Sequence, residues 1–262
     1  MKLSSKINLY LKSFGIFLDV FIKSLRGLSF YLRNKHNLRK QIQKSDGSFL
    51  ITNTYPCLAD RFERAGSIPL HYFHQDLFIA SKIFQDNPVK HVDVGSRIDG
   101  FIAHVASFRE VEVLDLRDLK ENIYNVKFIK ADLMDDNFAL QNYSDSLSCL
   151  HAIEHFGLGR YGDKVDLNGH LKGFEKLHSL LKNNGKFYFS TTIGPQRIEF
   201  DAHRVFSLKY LLELFKNKYE INSFSYINDK NIFFENASMT QENINNNFFC
   251  HYGCGIFEMT KV

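Results

Sequence analysis

The sequence predicts an α/β domain built on a mostly parallel sheet with helices on both faces. From Val89 onward, short apolar runs alternate with helix-length amphipathic segments, the pattern of strands joined by helical crossovers. Asp93, Asp115 and Asp132 fall at the ends of three such runs, where an open α/β sheet binds its ligand. A 262-residue chain that is 44% hydrophobic also has material for one large core and an appendage.

The elements follow in order. Ile7, Tyr10, Leu11, Phe14, Phe17, Leu18, Phe21 and Leu25 recur at steps of three and four, which predicts an amphipathic helix. Asn34–Lys44 reads as its polar, basic continuation, Ser45-Asp46-Gly47 as a break, and 48–68, with Pro56 and Gly66 ahead of Pro69, as an irregular lead-in. The expected boundary lies at 45/46, a helical extension preceding the domain. His71–Phe84 is a second amphipathic helix ended by Asn87-Pro88. Strands are predicted at 89–94, 111–114, 126–129, 147–150 and 186–191, with helices at 98–108, 171–181 and 207–215. Asn183-Asn184-Gly185 reads as a helix C-cap. Runs at 219–226 and 255–260 lack a helical crossover between them, which suits an antiparallel pair; Glu242–Asn247 reads as a polar loop.

Charge separates the two parts. Residues 1–44 carry ten Lys and Arg against Asp19 alone, about +9, which leaves the remainder near −5. The basic character belongs to the arm, which argues against nucleic-acid recognition by the domain. Two readings of the arm stay open: an interfacial helix drawn to anionic lipid, or a helix docked on its own domain or on a second subunit. Lys12, Asp19, Lys23 and Arg26 interrupt its apolar run, so a membrane span is not expected. Four scattered cysteines imply reduced thiols and a cytoplasmic protein. Cys250-His251-x-x-Cys254 has no second Cys/His pair nearby in sequence, and no metal is expected.

The ligand chemistry is carried by strand ends. The first strand runs into Asp93-Val-Gly95-Ser96-Arg97-Ile-Asp99-Gly100; Gly95 permits close backbone approach, and the helix after it offers free N–H groups. Asp115, followed by Leu116, suits the two hydroxyls of an adenosine ribose, and Asp132, followed by Leu133, suits an adenine amino group. A dinucleotide needs bare backbone where Arg97 stands. S-adenosylmethionine (SAM) has no pyrophosphate, and its carboxylate could pair with Arg97.

In the order and spacing of Gly95, Asp115 and Asp132 the chain resembles the class I SAM-dependent methyltransferases. More narrowly, His151-Ala-Ile-Glu-His-Phe-Gly-Leu-Gly-Arg-Tyr-Gly-Asp163 resembles the signature of a little-characterised methyltransferase-like group, with similar runs at His71–Leu77 and Ala202–Phe206. Members of that group are often linked with surface-polysaccharide biosynthesis. The resemblance covers about 55–262 and departs from the common glycine loop at Arg97 and Asp99. It implies a Rossmann-like, seven-stranded sheet with the last strand antiparallel, SAM as cofactor, and a small-molecule acceptor such as a nucleoside-diphosphate heptose. Two rivals are another small-molecule methyltransferase (N, O or C acceptor) and a non-catalytic domain binding partners at a membrane surface.

Methyl transfer to a hydroxyl benefits from a base that is neutral near pH 7. His155, after the fourth predicted strand, is the candidate base, and Glu154 could orient an imidazole or cap the next helix. His203 is the alternative base and a substrate contact, and His151 is expected to line the cofactor. Arg160, Lys164, Arg197 and Arg204 flank the same mouth; they read either as solvated surface charge or as holding a phosphate or diphosphate, with Tyr161 a further substrate contact. His71 and Tyr72 are further candidates for the cofactor pocket.

Overall fold

A computed structural model describes residues 3–45, 49–63 and 70–262. The chain divides into two compact units, Met1–Ser67 and Ile68–Val262. The described part of the lead-in, residues 49–63, therefore belongs to the same unit as the N-terminal helices. Asp46, Gly47, Gly66 and Pro69, read above as break and lead-in, lie outside the described residues.

In the first unit the expected single amphipathic helix is two helices, α1 (Leu3–Ser13) and α2 (Leu18–Ile42). Gly15 breaks them: its φ is +78°, its N–H bonds Lys12 O, and the N–H of Ile16 bonds Leu11 O at 2.8 Å. That is a Schellman C-cap, for which glycine is the favoured residue. Residues 49–63 return along α2, where Gly27 is buried because a Cβ would meet Leu58 O at 1.8 Å. Arg61 lies 4.1 Å from the Phe30 ring. Within this unit the apolar stripe stays open, with Tyr10, Phe14, Phe17, Phe21 and Leu25 all exposed.

The second unit opens with α3 (Leu70–Asp86). Next come β1 (His91–Val94), a π turn at Ile98–Ile102, α4 (Ala103–Ala106), β2 (Val111–Asp115), β3 (Val126–Lys130) and β4 (Ser144–Leu150). Then follow α5 (Gly169–Leu180), β5 (Leu181–Ile193), β6 (Arg197–Glu199), β7 (His203–Val205), α6 (Leu208–Phe215), β8 (Tyr219–Ile227), β9 (Phe233–Phe234), α7 (Gln241–Asn245) and β10 (Gly253–Lys261). The main sheet has the order β3-β2-β1-β4-β5-β10-β8-β9, with β1 to β5 parallel and β10 antiparallel to both β5 and β8.

The expected architecture holds, with eight strands rather than seven. The extra strand is the two-residue β9, pairing Tyr226 with Phe234 and Ile227 with Phe233, too short to show a period of two. Other expectations fall to local geometry. The 98–108 helix is a π turn plus one turn of α-helix, kinked where Gly100 has non-helical angles (φ −122°, ψ −113°). Helix α5 ends at Leu180, so Asn183-Asn184-Gly185 is not its cap but lies inside β5, where Asn184 takes φ +61°. Glu242–Asn245, read as loop, belongs to α7, capped by the Thr240 hydroxyl.

Both sheet faces are buried, as a parallel sheet requires. One cluster sets Phe174, Leu177, Leu211 and Phe215 of α5 and α6 against Leu147, Phe187, Phe189 and Phe257. The other sets Ile79, Ile83, Phe101 and Val105 against Val111, Val113, Tyr188 and Ile256. Phe187, Tyr188 and Phe189 thus alternate between faces, the two-residue period of a strand buried on both sides. Because β10 runs opposite to β4, its first residues reach the edge where β4 ends, and this places Cys254 near His151.

Candidate functional site

At the β1 end, Gly95 has φ +78°, and a Cβ there would sit 2.9 Å from the Ala152 Cβ. Only glycine fits both the turn and this close approach. Asp93 is fully buried; it accepts hydrogen bonds from Ser96 N (3.0 Å), Ser96 Oγ (2.9 Å) and Ser148 Oγ (2.5 Å). Burial raises its pKa to about 7, against the pull of those donors. Asp93 and Ser96 therefore shape the loop from beneath. Gly100 leaves room for Asp76, whose Oδ2 would lie 3.0 Å from a Cβ. Arg97 is exposed and engaged with Asp99 through Nε (2.9 Å) and Nη2 (2.6 Å).

Asp115 stands at the end of β2, held by Arg117 through its N–H (2.8 Å), Nε (2.9 Å) and Nη2 (2.6 Å). That takes three of its roughly four lone-pair sites. Leu116 beside it is half-buried. Asp132 accepts Met134 N–H on Oδ1 at 2.8 Å, and its Oδ2 carries no hydrogen bond among the described residues. Leu133, in contrast, is 3% exposed, and its side chain packs in the first core cluster.

At the β4 end the signature folds into a loop tied by one carboxylate. Asp163 accepts from the N–H groups of Gly157 (2.8 Å), Gly159 (3.2 Å) and Tyr161 (3.2 Å). Gly157, Gly159 and Gly162 all have positive φ, and a Cβ on Gly157 would meet Asp166 O at 2.0 Å. Much of the signature is thus architectural.

Its titratable residues divide in two. His151 is buried with φ +49°, its Nδ1 2.7 Å from Glu154 Oε1. Glu154 is buried and also accepts from Thr191 Oγ1 at 3.1 Å. Glu154 thus orients an imidazole, that of His151. Burial opposes charge on both partners, but their attraction lowers the pKa of Glu154, and the Cys254 and Glu154 charges raise that of His151. His155 is half-buried, and its Nδ1 donates to Ala202 O at 2.7 Å. Its pKa is lowered by burial in spite of Glu154, whereas a neighbouring carboxylate alone would have moved it upward.

Around them lie His71, stacked on His151 (5.5 Å between centroids, 15° between planes), and Tyr72, 5.1 Å from the same ring. Tyr252 contacts His71 at 5.5 Å and His203 at 5.1 Å. Tyr161 meets His155 edge-on at 5.4 Å. The Arg117 guanidinium lies 4.7 Å and that of Arg160 5.1 Å from the Tyr161 ring. Tyr252 was not expected here, and Cys254 was weighed only within Cys250-His251-x-x-Cys254; β10 and the residues just before it bring both back from the far end of the chain.

The arginines do not form one cluster. Arg160 is exposed at the mouth and donates to Ala202 O at 3.0 Å, the carbonyl that also holds His155. Arg204, expected to touch substrate, is 4% exposed and donates to the carbonyls of Phe156 (2.6 Å), Leu167 (3.1 Å) and Glu154 (3.4 Å). It clamps the loop and is not free for a ligand. Arg197 is likewise committed, to Glu199, Pro195 O and His251 O. His203 faces Glu199 at 3.4 Å, and burial lowers its pKa.

Among solved structures the chain is similar to a 1,6-didemethyltoxoflavin N1-methyltransferase of Burkholderia thailandensis, with bound 1,6-didemethyltoxoflavin and S-adenosylhomocysteine. The two are 14% identical over 71% of this chain and 78% of that one, with a TM-score of 0.50. It is also similar to the (4+2)-cyclase SpnF, 13% identical over 82% and 85%, TM-score 0.50. No curated protein matches in sequence. At such identities the likeness speaks for fold: the unit shares the Rossmann-like methyltransferase architecture. Residues 100–250 match the family model described as "Caenorhabditis protein of unknown function, DUF268". With more than half of its length inside that model, the chain belongs to the DUF268 family.

Proposed function

We propose that the protein is a SAM-dependent methyltransferase of a small-molecule hydroxyl. The observation that carries the reading is the His155 tautomer. A carbonyl can only accept, so Nδ1 carries the proton given to Ala202 O and Nε2 carries the lone pair. The lowered pKa keeps the ring neutral near pH 7 and able to take a proton from an acceptor.

The residues at the strand ends fit SAM. The Gly95 turn gives close backbone approach, and Asp132 keeps a free carboxylate oxygen. Asp115 fits the ribose once the Arg117 fork yields one oxygen. When bound, SAM supplies an electrophilic methyl group. The chain's own work is then to hold the acceptor in line with it and to receive the hydroxyl proton at His155 Nε2. The similar N1-methyltransferase carries S-adenosylhomocysteine, which favours this cofactor over a dinucleotide. Arg160, exposed beside His155, suits a phosphate of the acceptor, and a nucleotide-activated sugar in the cytoplasm is the acceptor we assign. Mass spectrometry of ligand released from protein purified without added cofactor should find SAM or S-adenosylhomocysteine. A bound nicotinamide dinucleotide, or no SAM binding in calorimetry, would overturn the reading.

We assign the arm to an anionic membrane surface, since its open apolar stripe is joined to about nine net positive charges. Among the described residues no helix is long and apolar enough to cross a membrane. The full chain should co-sediment with phosphatidylserine vesicles, less so at high salt. Dimerisation without vesicle binding would reassign the stripe to a second copy.

A further inference from the structure

His151 presents an arrangement that methyl transfer does not use. Its Nδ1 is tied to the buried Glu154 carboxylate, and its buried Nε2 has no hydrogen-bond partner. Leaving such an atom unmatched is destabilising, yet the backbone holds the residue in place at positive φ. His71 Nδ1 or Nε2, a His151 ring nitrogen and the Cys254 Sγ all lie within 4.8 Å of one another, and all three residues are buried. The thiol lies beside the His151 ring, and its other contacts are long, 3.7 Å to Gln75 Oε1 and 3.9 Å to Gly255 O.

We propose that His71, His151 and Cys254 bind one zinc ion. Two imidazoles and a thiolate are ligands zinc prefers, and three protein ligands leave a fourth position open to water or another small ligand. Tetrahedral ligands at zinc distances lie about 3.3–3.6 Å apart, so the three side chains close by about an ångström on binding. A carboxylate on the far nitrogen of a ligating imidazole is the arrangement that orients metal-bound histidines, and Glu154 supplies it. Charge balances as well: the Cys254 thiolate and the Glu154 carboxylate offset the two positive charges of the ion, so no net charge is buried. Cys250 and His251, close in sequence to Cys254, are not part of this cluster: Cys250 Sγ donates to Phe248 O, and His251 Nδ1 lies 3.5 Å from the Arg197 Nη2. The site is inferred independently of methyl transfer, and its test needs no turnover.

Full-length protein grown with zinc and dialysed should retain about one zinc per chain by elemental mass spectrometry. Replacing zinc with Co²⁺ should give thiolate-to-cobalt charge-transfer absorption. That absorption should vanish in Cys254→Ser and persist in Cys250→Ser, and Glu154→Gln should weaken metal affinity about 10- to 100-fold. Wild-type protein that binds neither ion at excess overturns the proposal, as does a cobalt–thiolate band lost in Cys250→Ser. If Cys254→Ser fails to fold, the wild-type stoichiometry and the Cys250→Ser spectrum still decide. Copper retained in place of zinc overturns the choice of ion.

Discussion

The two halves of the sheet's carboxyl edge are built differently. Over β1 to β3, the strand-end acids accept mainly from neighbours two or three residues away: Asp93 from Ser96, with Ser148 of β4 added, Asp115 from Arg117, and Asp132 from Met134 on one oxygen. Over β4, β5 and β10, the site is assembled from His71, His151, His155, His203, Tyr252 and Cys254, which lie on separate segments. The first half is thus largely local, with Ser148 and Ala152 its partners from β4 and the loop after it. The second depends on the whole topology. It is also drier, and burial moves the pKa values of His71, His155 and His203 downward.

Substitutions can separate the halves. The largest effect is expected at His155. His155→Ala should lower kcat by roughly 10²–10⁴ while SAM affinity is kept. With its pKa lowered, the rising limb of the wild-type pH profile should lie below the ordinary histidine value of about 6.5. A loss under tenfold would remove His155 as the base and bring His203 forward.

Arg204→Met should cost roughly 2–4 kcal/mol of stability, because three carbonyls lose a buried charged donor at once. Arg160→Ala, at the exposed mouth, should leave the melting temperature nearly unchanged and raise KM for a phosphorylated acceptor. Equal melting behaviour in the two variants would break the distinction between loop clamp and ligand contact. On the local half, Asp115→Ala should weaken SAM binding by about 1.5–3 kcal/mol in calorimetry. Near-wild-type affinity would sink the ribose assignment.

The same division explains what was legible in the sequence. Strands were visible because apolar runs such as Val111–Leu114 are buried, and the strand-end acids because a strand end has a fixed address. Leu133 shows the limit of that address, since the residue beside a ligand position can point into the core. The histidine side was half-legible. His151, Glu154 and His155 stood out in one run, but which imidazole Glu154 orients is set by a single turn at φ +49°. Tyr252 was invisible, and Cys254 stood out only beside Cys250 and His251, because its neighbours His71 and His151 come through β10 pairing. Arg204 read as a substrate contact because sequence does not show which carbonyls surround a guanidinium.

The smallest expected effect tests the local half from within, at Asp93. Its pKa in the folded protein is raised to about 7, against an ordinary value of about 3.9. The folded state therefore holds a proton that the unfolded chain has released, and stability falls as pH rises between those values. From pH 6 to 8 that amounts to about 1 kcal/mol. Asp93→Asn has nearly the same shape and does not titrate; its amide can donate to the hydroxyls of Ser96 and Ser148, which now donate to the carboxyl. The stability difference between wild type and Asp93→Asn, from urea unfolding at each pH, should thus move against wild type by about 1 kcal/mol across that window. A difference that does not change with pH would mean Asp93 is already ionised in the fold. The loop beneath Gly95 would then carry a buried negative charge, and cation binding there would have to be sought.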